Sequence, residues 1–346
     1  MGDQIDEILK IFLNNLKEYP DIEKNAFIVN YEKYLGVYIK TIAEYIDKNN
    51  EEKTFEGIYN SIENTTELLL LKLIEKKIIP KCRISLSLEA TSQVITHLLH
   101  KYISQKTSEE INRFKQHLVN ITNDLYILSY LSKDKIFYFF KKMLNNNMKI
   151  LIHGYSSQIS YCLKQARKEG KFLTVYITVS ENDNNALIFE KEMKENDIKC
   201  KLITGISIAY YLKEVDCVLV GADAICENGG IINKIGTLTC AICAKNYKKP
   251  FYVIADSLKF MKLYVLDQND IAPQLSKYIS HDNNKVTYDF TPPEFITLFF
   301  TDNGILTPSA VSDQLILMFC NLFELLNFFL EIIPLDIACN FIKFCW

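Results

Sequence analysis

The hydrophobic pattern changes period once along this chain. Up to residue 147 apolar side chains recur every three to four residues, the spacing of one helix face. Ile5, Ile8, Phe12 and Leu16 form the first such stripe, and Phe27, Tyr31, Tyr34, Leu35, Tyr38, Ile42, Tyr45 and Ile46 form a second across 22–48. The second stripe reads as a helix-packing face. The same spacing predicts helices over 54–76, 86–101, 108–131 and 133–144, with Pro80 as the strong breaker among them.

From Met148 the period shortens. KILIH reads as a strand, and GYSSQISYCLKQARKEG as a turn, a helix and a glycine stop. The unit repeats as FLTVYIT with a helix over 184–196, KCKLIT with a short helix over 206–212, DCVLVG with GTLTCAICAKNYK, and PFYVIAD. Short β-branched runs alternating with helices predict right-handed crossovers and a parallel sheet covered on both faces. The expected fold is α/β: an all-helical N-terminal domain over 1–147, a Rossmann-like domain over 148–319 and an apolar C-terminal extension over 320–346. No G-x-G-x-x-G follows the first strand, so no dinucleotide cofactor is expected. Glu324, Glu331, Pro334 and Asp336 interrupt the extension. An acid at mid-bilayer costs about 2.5–3.5 kcal/mol, so an amphipathic helix or loose extension is expected there and not a membrane span.

Composition narrows the function classes. With 49% apolar residues, 11 Gly and 8 Pro in 346 residues, most of the chain is expected to fold. Lys and Arg number 39 against 42 acids, a net charge of -3, which leaves no overall positive field for a nucleic-acid backbone. The first twenty residues carry acids where an export signal needs bases, and Asp6 stands where an acylation signal after Gly2 needs Ser or Thr. Ten cysteines scattered through apolar stretches read as reduced thiols in a cytoplasmic protein. Cys240 and Cys243 lack a second pair at zinc-site spacing, and His97 and His100 lack further ligands, so no metal is expected.

Ligands of such sheets collect beyond the carboxyl ends of the strands. That singles out HGYSS, ADSLKF and above all VGADAICENGGIINKIGT. The last places Asp223 directly after a buried strand, then a glycine pair, then Asn233, Lys234 and the helix start Gly236-Thr237. A lysine and an amide beside the N-terminal amides of a helix form an anion or sugar-phosphate site; a purely structural turn is the competing reading.

The stretch GADAICENGGIINKIGTLTCAICAKNYKKPFYVIADSLKF and the later TDNGILTPSAVSDQLI carry a resemblance to the alpha-type members of the translation initiation factor 2B subunit family. It is strong over 150–315. That family is similar to sugar-phosphate isomerases acting on methylthioribose 1-phosphate and ribose 1,5-bisphosphate. The resemblance implies a helical region before a Rossmann-like domain, and it matches Asp223 to the isomerases' acid and Asn233 and Lys234 to their sugar-contacting pair. The isomerases' cysteine after the first strand has no match, because Gly154 follows His153. What is implied is therefore a non-catalytic regulatory subunit of the guanine nucleotide exchange factor for initiation factor 2, with an isomerase as the alternative. The implied partners are a second copy of the chain, paired through the TDNGILTPSAVSDQLI region, the beta, gamma, delta and epsilon subunits, and the phosphorylated alpha subunit of initiation factor 2. Two N-terminal stretches also bear on the family: RISLSLEATSQ stands where a Ser-Gly-Gly element is common and lacks its glycines, while KTFEGI, with Thr54 and Gly57, resembles a family helix start.

Overall fold

In a computed structural model the described residues are 2–18, 31–48, 54–79, 83–105, 110–179, 185–277 and 286–320. The extension from residue 321 onward, and residues 22–30 of the second predicted stripe, lie outside them. Five helices come first: α1 (Gly2–Lys17), α2 (Tyr31–Lys48), α3 (Phe55–Glu75), α4 (Arg83–Gln105) and α5 (Ile111–Phe140). The stripes read from sequence become their contact faces, with α2 packed on α1 and α5, and α3 on α4. Thr54 starts α3 as predicted: its backbone is extended and its hydroxyl accepts from the Gly57 amide at 3.1 Å, supplying a partner for one orphan helix donor.

The two helices expected over 108–131 and 133–144 are one. Leu125, Leu131, Ile136, Phe137 and Phe140 keep a single buried stripe across the junction, and the Ser132 hydroxyl donates to the Ser129 carbonyl at 2.9 Å without breaking the helix. A Ser-Lys pair is a weak stop when no Gly or Pro accompanies it.

The α/β part follows as β1 (Met148–His153), α6 (Ser157–Lys168), β2 (Leu173–Val179), α7 (Asn185–Glu195), β3 (Lys199–Thr204), α8 (Ile208–Tyr211), β4 (Cys217–Gly221), β5 (Ala224–Ile225), β6 (Ile231–Lys234), α9 (Thr237–Asn246), β7 (Phe251–Ile254), α10 (Ile271–Leu275), β8 (Tyr288–Thr291), β9 (Leu298–Thr301), β10 (Gly304–Leu306) and α11 (Pro308–Cys320). Seven strands form the large sheet in the order β10-β9-β7-β4-β1-β2-β3. All neighbours pair in parallel except β10, which turns back antiparallel on β9 through the Thr301–Gly304 turn. The chain winds outward in one direction from β1 and in the other from β4, so the switch point, where a ligand crevice is expected, lies between those two strands.

Each central strand alternates between two apolar layers, the signature of a sheet buried on both faces. Leu151, Val218 and Val220 join a core that continues without interruption into Ile8, Phe12, Tyr38 and Leu99 of the helical region. Ile150, Ile152, Cys217 and Leu219 join the opposite core, which is closed by Ile136, Phe137 and Phe140 at the end of α5. Among the described residues no helix is long and apolar enough to cross a membrane.

Candidate functional site

The segment over 221–237, read from sequence as a loop, contains two strands. β5 and β6 pair antiparallel, and β8 adds to β6 to make a second, three-stranded sheet. Short strands of two and four residues do not carry enough alternation to be seen, and β8 enters from far along the chain. The glycine pair between β5 and β6 is demanded by close approach. Gly229 has φ +80, and a Cβ there would lie 2.3 Å from the Pro308 carbonyl oxygen; a Cβ at Gly230 would lie 2.3 Å from the Phe290 ring.

The small sheet follows directly on β4. β4 ends at Gly221, where a Cβ would come within 3.1 Å of Ser156 Cβ, so the loops after β1 and β4 touch. Asp223 follows, 3% exposed, its amide donating to the Ile232 carbonyl at 3.0 Å. That bond sets Asp223 beside Asn233 on β6. Its own carbonyl accepts from the Ser87 hydroxyl of α4 at 2.9 Å, which ties the helical region to this loop. Thr91 and Gln93 of α4 make two more such ties, to the Leu258 carbonyl and the Lys262 amide. Ser87, Thr91 and Gln93 all belong to the stretch RISLSLEATSQ.

Asn233 is 1% exposed, and Lys234, the next residue on the strand, is half-buried. The Asn233 amide donates to the Thr237 hydroxyl at 3.2 Å, and that hydroxyl donates to the Lys234 carbonyl at 2.6 Å. Of the three residues singled out from sequence, Asn233 and Lys234 thus lie on β6, and Asp223 sits just before β5, tied to β6 through the Ile232 carbonyl.

The helix start is different from expectation. The amides of Gly236 and Leu238 at the N-terminus of α9 donate to one oxygen of Asp289, at 2.7 and 3.1 Å. Asp289 stands opposite Asn233 on β8 and is 4% exposed; its second oxygen has no hydrogen bond. Burial pushes its carboxyl up to about 6, and the helix amides oppose that rise by favouring the charged form. The amides assigned from sequence to an incoming anion are therefore already held by a carboxylate of the chain itself. Nothing local in the sequence points to Asp289, since the pairing that delivers it joins strands far apart in the chain.

His153 fixes the same turn from the other side. Its Nε2 donates to the Ile235 carbonyl at 2.9 Å, since a carbonyl oxygen can only accept, and its Nδ1 shares a hydrogen bond with the Thr178 hydroxyl at 2.8 Å. Its ring lies against Gly236, whose φ is +101 and where a Cβ would be 2.8 Å from Cε1. Gly154, the next residue after His153, has φ +76, a left-handed backbone that an L-residue adopts at a cost of about 1–3 kcal/mol.

A second polar cluster lies beyond β7 and β9. The Gln158 amide donates to Asp256, Lys259 Nζ donates to the Ala222 carbonyl at 2.8 Å, and Asp302 accepts from the Ser257 amide and hydroxyl at 2.6 and 2.7 Å. Burial raises the Asp302 carboxyl and lowers the Lys135 ammonium on α5, each charge partly offsetting the other's shift. The Cys240 and Cys243 thiols are pushed up by burial, the reverse of a reactive thiol, and no group of three metal-binding side chains occurs among the described residues.

Residues 40–308 match the Initiation factor 2 subunit family. The chain is 33% identical over 321 residues to the translation initiation factor eIF2B subunit alpha of Dictyostelium discoideum, covering 86% of this chain and 96% of that one. It is 28% identical over 216 residues to the ribose 1,5-bisphosphate isomerase of Archaeoglobus fulgidus, covering 60% of this chain and 69% of the isomerase. Among solved structures, eIF2B beta from Chaetomium thermophilum superposes with a TM-score of 0.68 at 13% identity, over 92% of this chain and 90% of that one, a likeness of fold. A match over most of the chain, on a helical region followed by a mostly parallel sheet, places this protein in the Initiation factor 2 subunit family.

Proposed function

We propose that this chain is the alpha-type, regulatory subunit of the guanine nucleotide exchange factor for initiation factor 2. The observation that carries the reading is the similarity to the Dictyostelium subunit over nearly the full length of both chains. In this reading the chain works in the cytoplasm with the beta, gamma, delta and epsilon subunits and does not itself catalyse exchange. It pairs with a second copy through the region of β10 and α11, where Ile305, Ile316 and Leu317 are exposed. An obligate apolar patch buries more than about 2,000 Å², so dimers persist on dilution to the nanomolar range.

The helical region, over 1–147, receives the phosphorylated alpha subunit of initiation factor 2. The added phosphate brings about -1.5 to -2 charges, readable by basic side chains. Lys10 and Lys17 of α1 are candidate side chains for that contact. Capture of the endogenous protein followed by mass spectrometry tests the assembly: the other subunits of the factor are expected, and their absence overturns the reading.

Asp223, Asn233 and Lys234 in this reading bind a sugar phosphate, Asp223 and Asn233 holding hydroxyls and Lys234 the phosphoryl group. A hexose or pentose phosphate at millimolar concentration then raises the melting temperature by mass action on the native state, and Lys234→Ala removes the rise. No shift in the wild type with any sugar phosphate tested rejects the site.

The second reading, a ribose 1,5-bisphosphate or methylthioribose 1-phosphate isomerase, is favoured by the similarity to the Archaeoglobus enzyme and by the retained Asp223. Against it, Gly154 supplies no thiol where the resemblance puts the isomerases' cysteine. Turnover of either sugar phosphate that vanishes in Asp223→Asn would establish it.

A further inference from the structure

A helix N-terminus next to a lysine ordinarily invites a phosphoryl group, since its free amides and the positive end of the helix dipole both favour an anion. In α9 that invitation is already answered. Asp289 reaches across from β8 and takes the Gly236 and Leu238 amides with a single oxygen, at 2.7 and 3.1 Å. It does so while buried, with its other oxygen unbonded, so the carboxylate occupies the terminus and adds a negative charge there without compensation from a lysine or arginine among its hydrogen-bond partners. His153 on Ile235 and the Asn233–Thr237–Lys234 chain of hydrogen bonds hold the turn around it.

We propose that Asp289 is a built-in anion that closes the N-terminus of α9 to the ligand's phosphate, and so determines how the proposed sugar-phosphate site binds: the phosphoryl group is met by Lys234 and not by the helix. This rests on the sugar-phosphate reading of Asp223, Asn233 and Lys234. It gives the pocket a specificity that the sequence motif alone does not have. Inorganic phosphate, which lacks a sugar to be held by Asp223 and Asn233, finds no open helix terminus and is rejected. A phosphate carried on a sugar is bound because the hydroxyl contacts anchor it beside Lys234.

The test empties the terminus. Asp289→Ala removes the carboxylate and leaves room at the Gly236 and Leu238 amides. At constant ionic strength, inorganic phosphate is expected to raise the melting temperature of Asp289→Ala by several degrees more than it raises that of the wild type. That extra rise is expected to survive in the Asp289→Ala, Lys234→Ala double variant. Equal phosphate responses in the wild type and Asp289→Ala, or a response that disappears with Lys234, overturn the proposal. Asp289→Asn, which keeps a side chain of the same size in place, is expected to show no extra rise, and a rise equal to that of Asp289→Ala counts against an emptied terminus.

If Asp289→Ala does not fold, the wild type decides. In a crystal of wild-type protein with ribose 5-phosphate, the phosphoryl oxygens are expected beyond hydrogen-bond reach of the Gly236 and Leu238 amides, with Asp289 still in place. A phosphoryl oxygen on either amide refutes the idea. Failure of every sugar phosphate to bind the wild type would remove the pocket but not the closed terminus, because the inorganic phosphate comparison reads Asp289 by itself.

Discussion

The two sheets of this molecule were built by different rules. In the large sheet, β1, β2, β4 and β7 are largely apolar runs rich in Val and Ile whose side chains alternate between two dry layers. In the small sheet, strands of two to four residues carry Asn233, Lys234 and Asp289, and the polar side chains are buried against one another and against the start of α9. The first sheet is held by burial of area, the second by hydrogen bonds of defined geometry and by glycines that permit close approach. Mutations in the large sheet should therefore cost stability broadly, while those in the small sheet should alter the response to ligand and to pH.

The largest effect is expected at the join between them. Gly236→Ala imposes a left-handed backbone on an L-residue and drives its Cβ into the His153 ring, for a loss of about 3–5 kcal/mol in urea denaturation. A loss under about 1 kcal/mol would mean that the His153 contact is not kept in solution. In the large sheet, Leu219→Ala opens a cavity in a fully buried layer and is expected to cost about 2–5 kcal/mol. The folded fraction should keep the sugar-phosphate response of the wild type, and loss of that response would erase the distinction between the sheets.

Stability should also depend on pH through Asp289. Burial raises the folded-state pKa of Asp289 to about 6, above its ordinary value of 3.8. The folded protein thus binds this proton more tightly than the unfolded chain does. The resulting stabilisation is fully present below about pH 4 and is lost as pH rises through about 6. Its full size is about 3 kcal/mol. Asp289→Asn should remove this part of the decline in stability between pH 4 and 7, measured by urea titrations at each pH. An unchanged slope would show that Asp289 does not titrate in that window.

The smallest effect concerns the tie from the helices. Ser87→Ala removes the hydroxyl that serves the Asp223 carbonyl, with an expected loss of about 1–2 kcal/mol and a weaker ligand-induced melting shift. Retention of the full shift would separate α4 from the site.

The same contrast explains what the sequence made legible. Every strand of the large sheet from β1 to β7 was readable as a β-branched run, and the helical stripes before Met148 became packing faces, because burial on a regular lattice imprints its period on the chain. Asp223, Asn233 and Lys234 could be found because they lie within one short motif. Asp289 could not, since it reaches the site by a contact across a long stretch of chain that leaves no local pattern, and RISLSLEATSQ, which holds Ser87, carries no sign of the bond to the Asp223 carbonyl. The reverse holds in α5, where the polar Ser132-Lys133 step reads as a helix boundary although the buried stripe runs straight through it.

The most direct test of the account is the rate of nucleotide release from initiation factor 2, catalysed by the beta, gamma, delta and epsilon subunits with and without this chain. We expect release without the chain to remain measurable and to be inhibited only weakly when the alpha subunit of initiation factor 2 is phosphorylated, and addition of the chain to restore strong inhibition. Equal inhibition in its absence would contradict the regulatory role assigned to it.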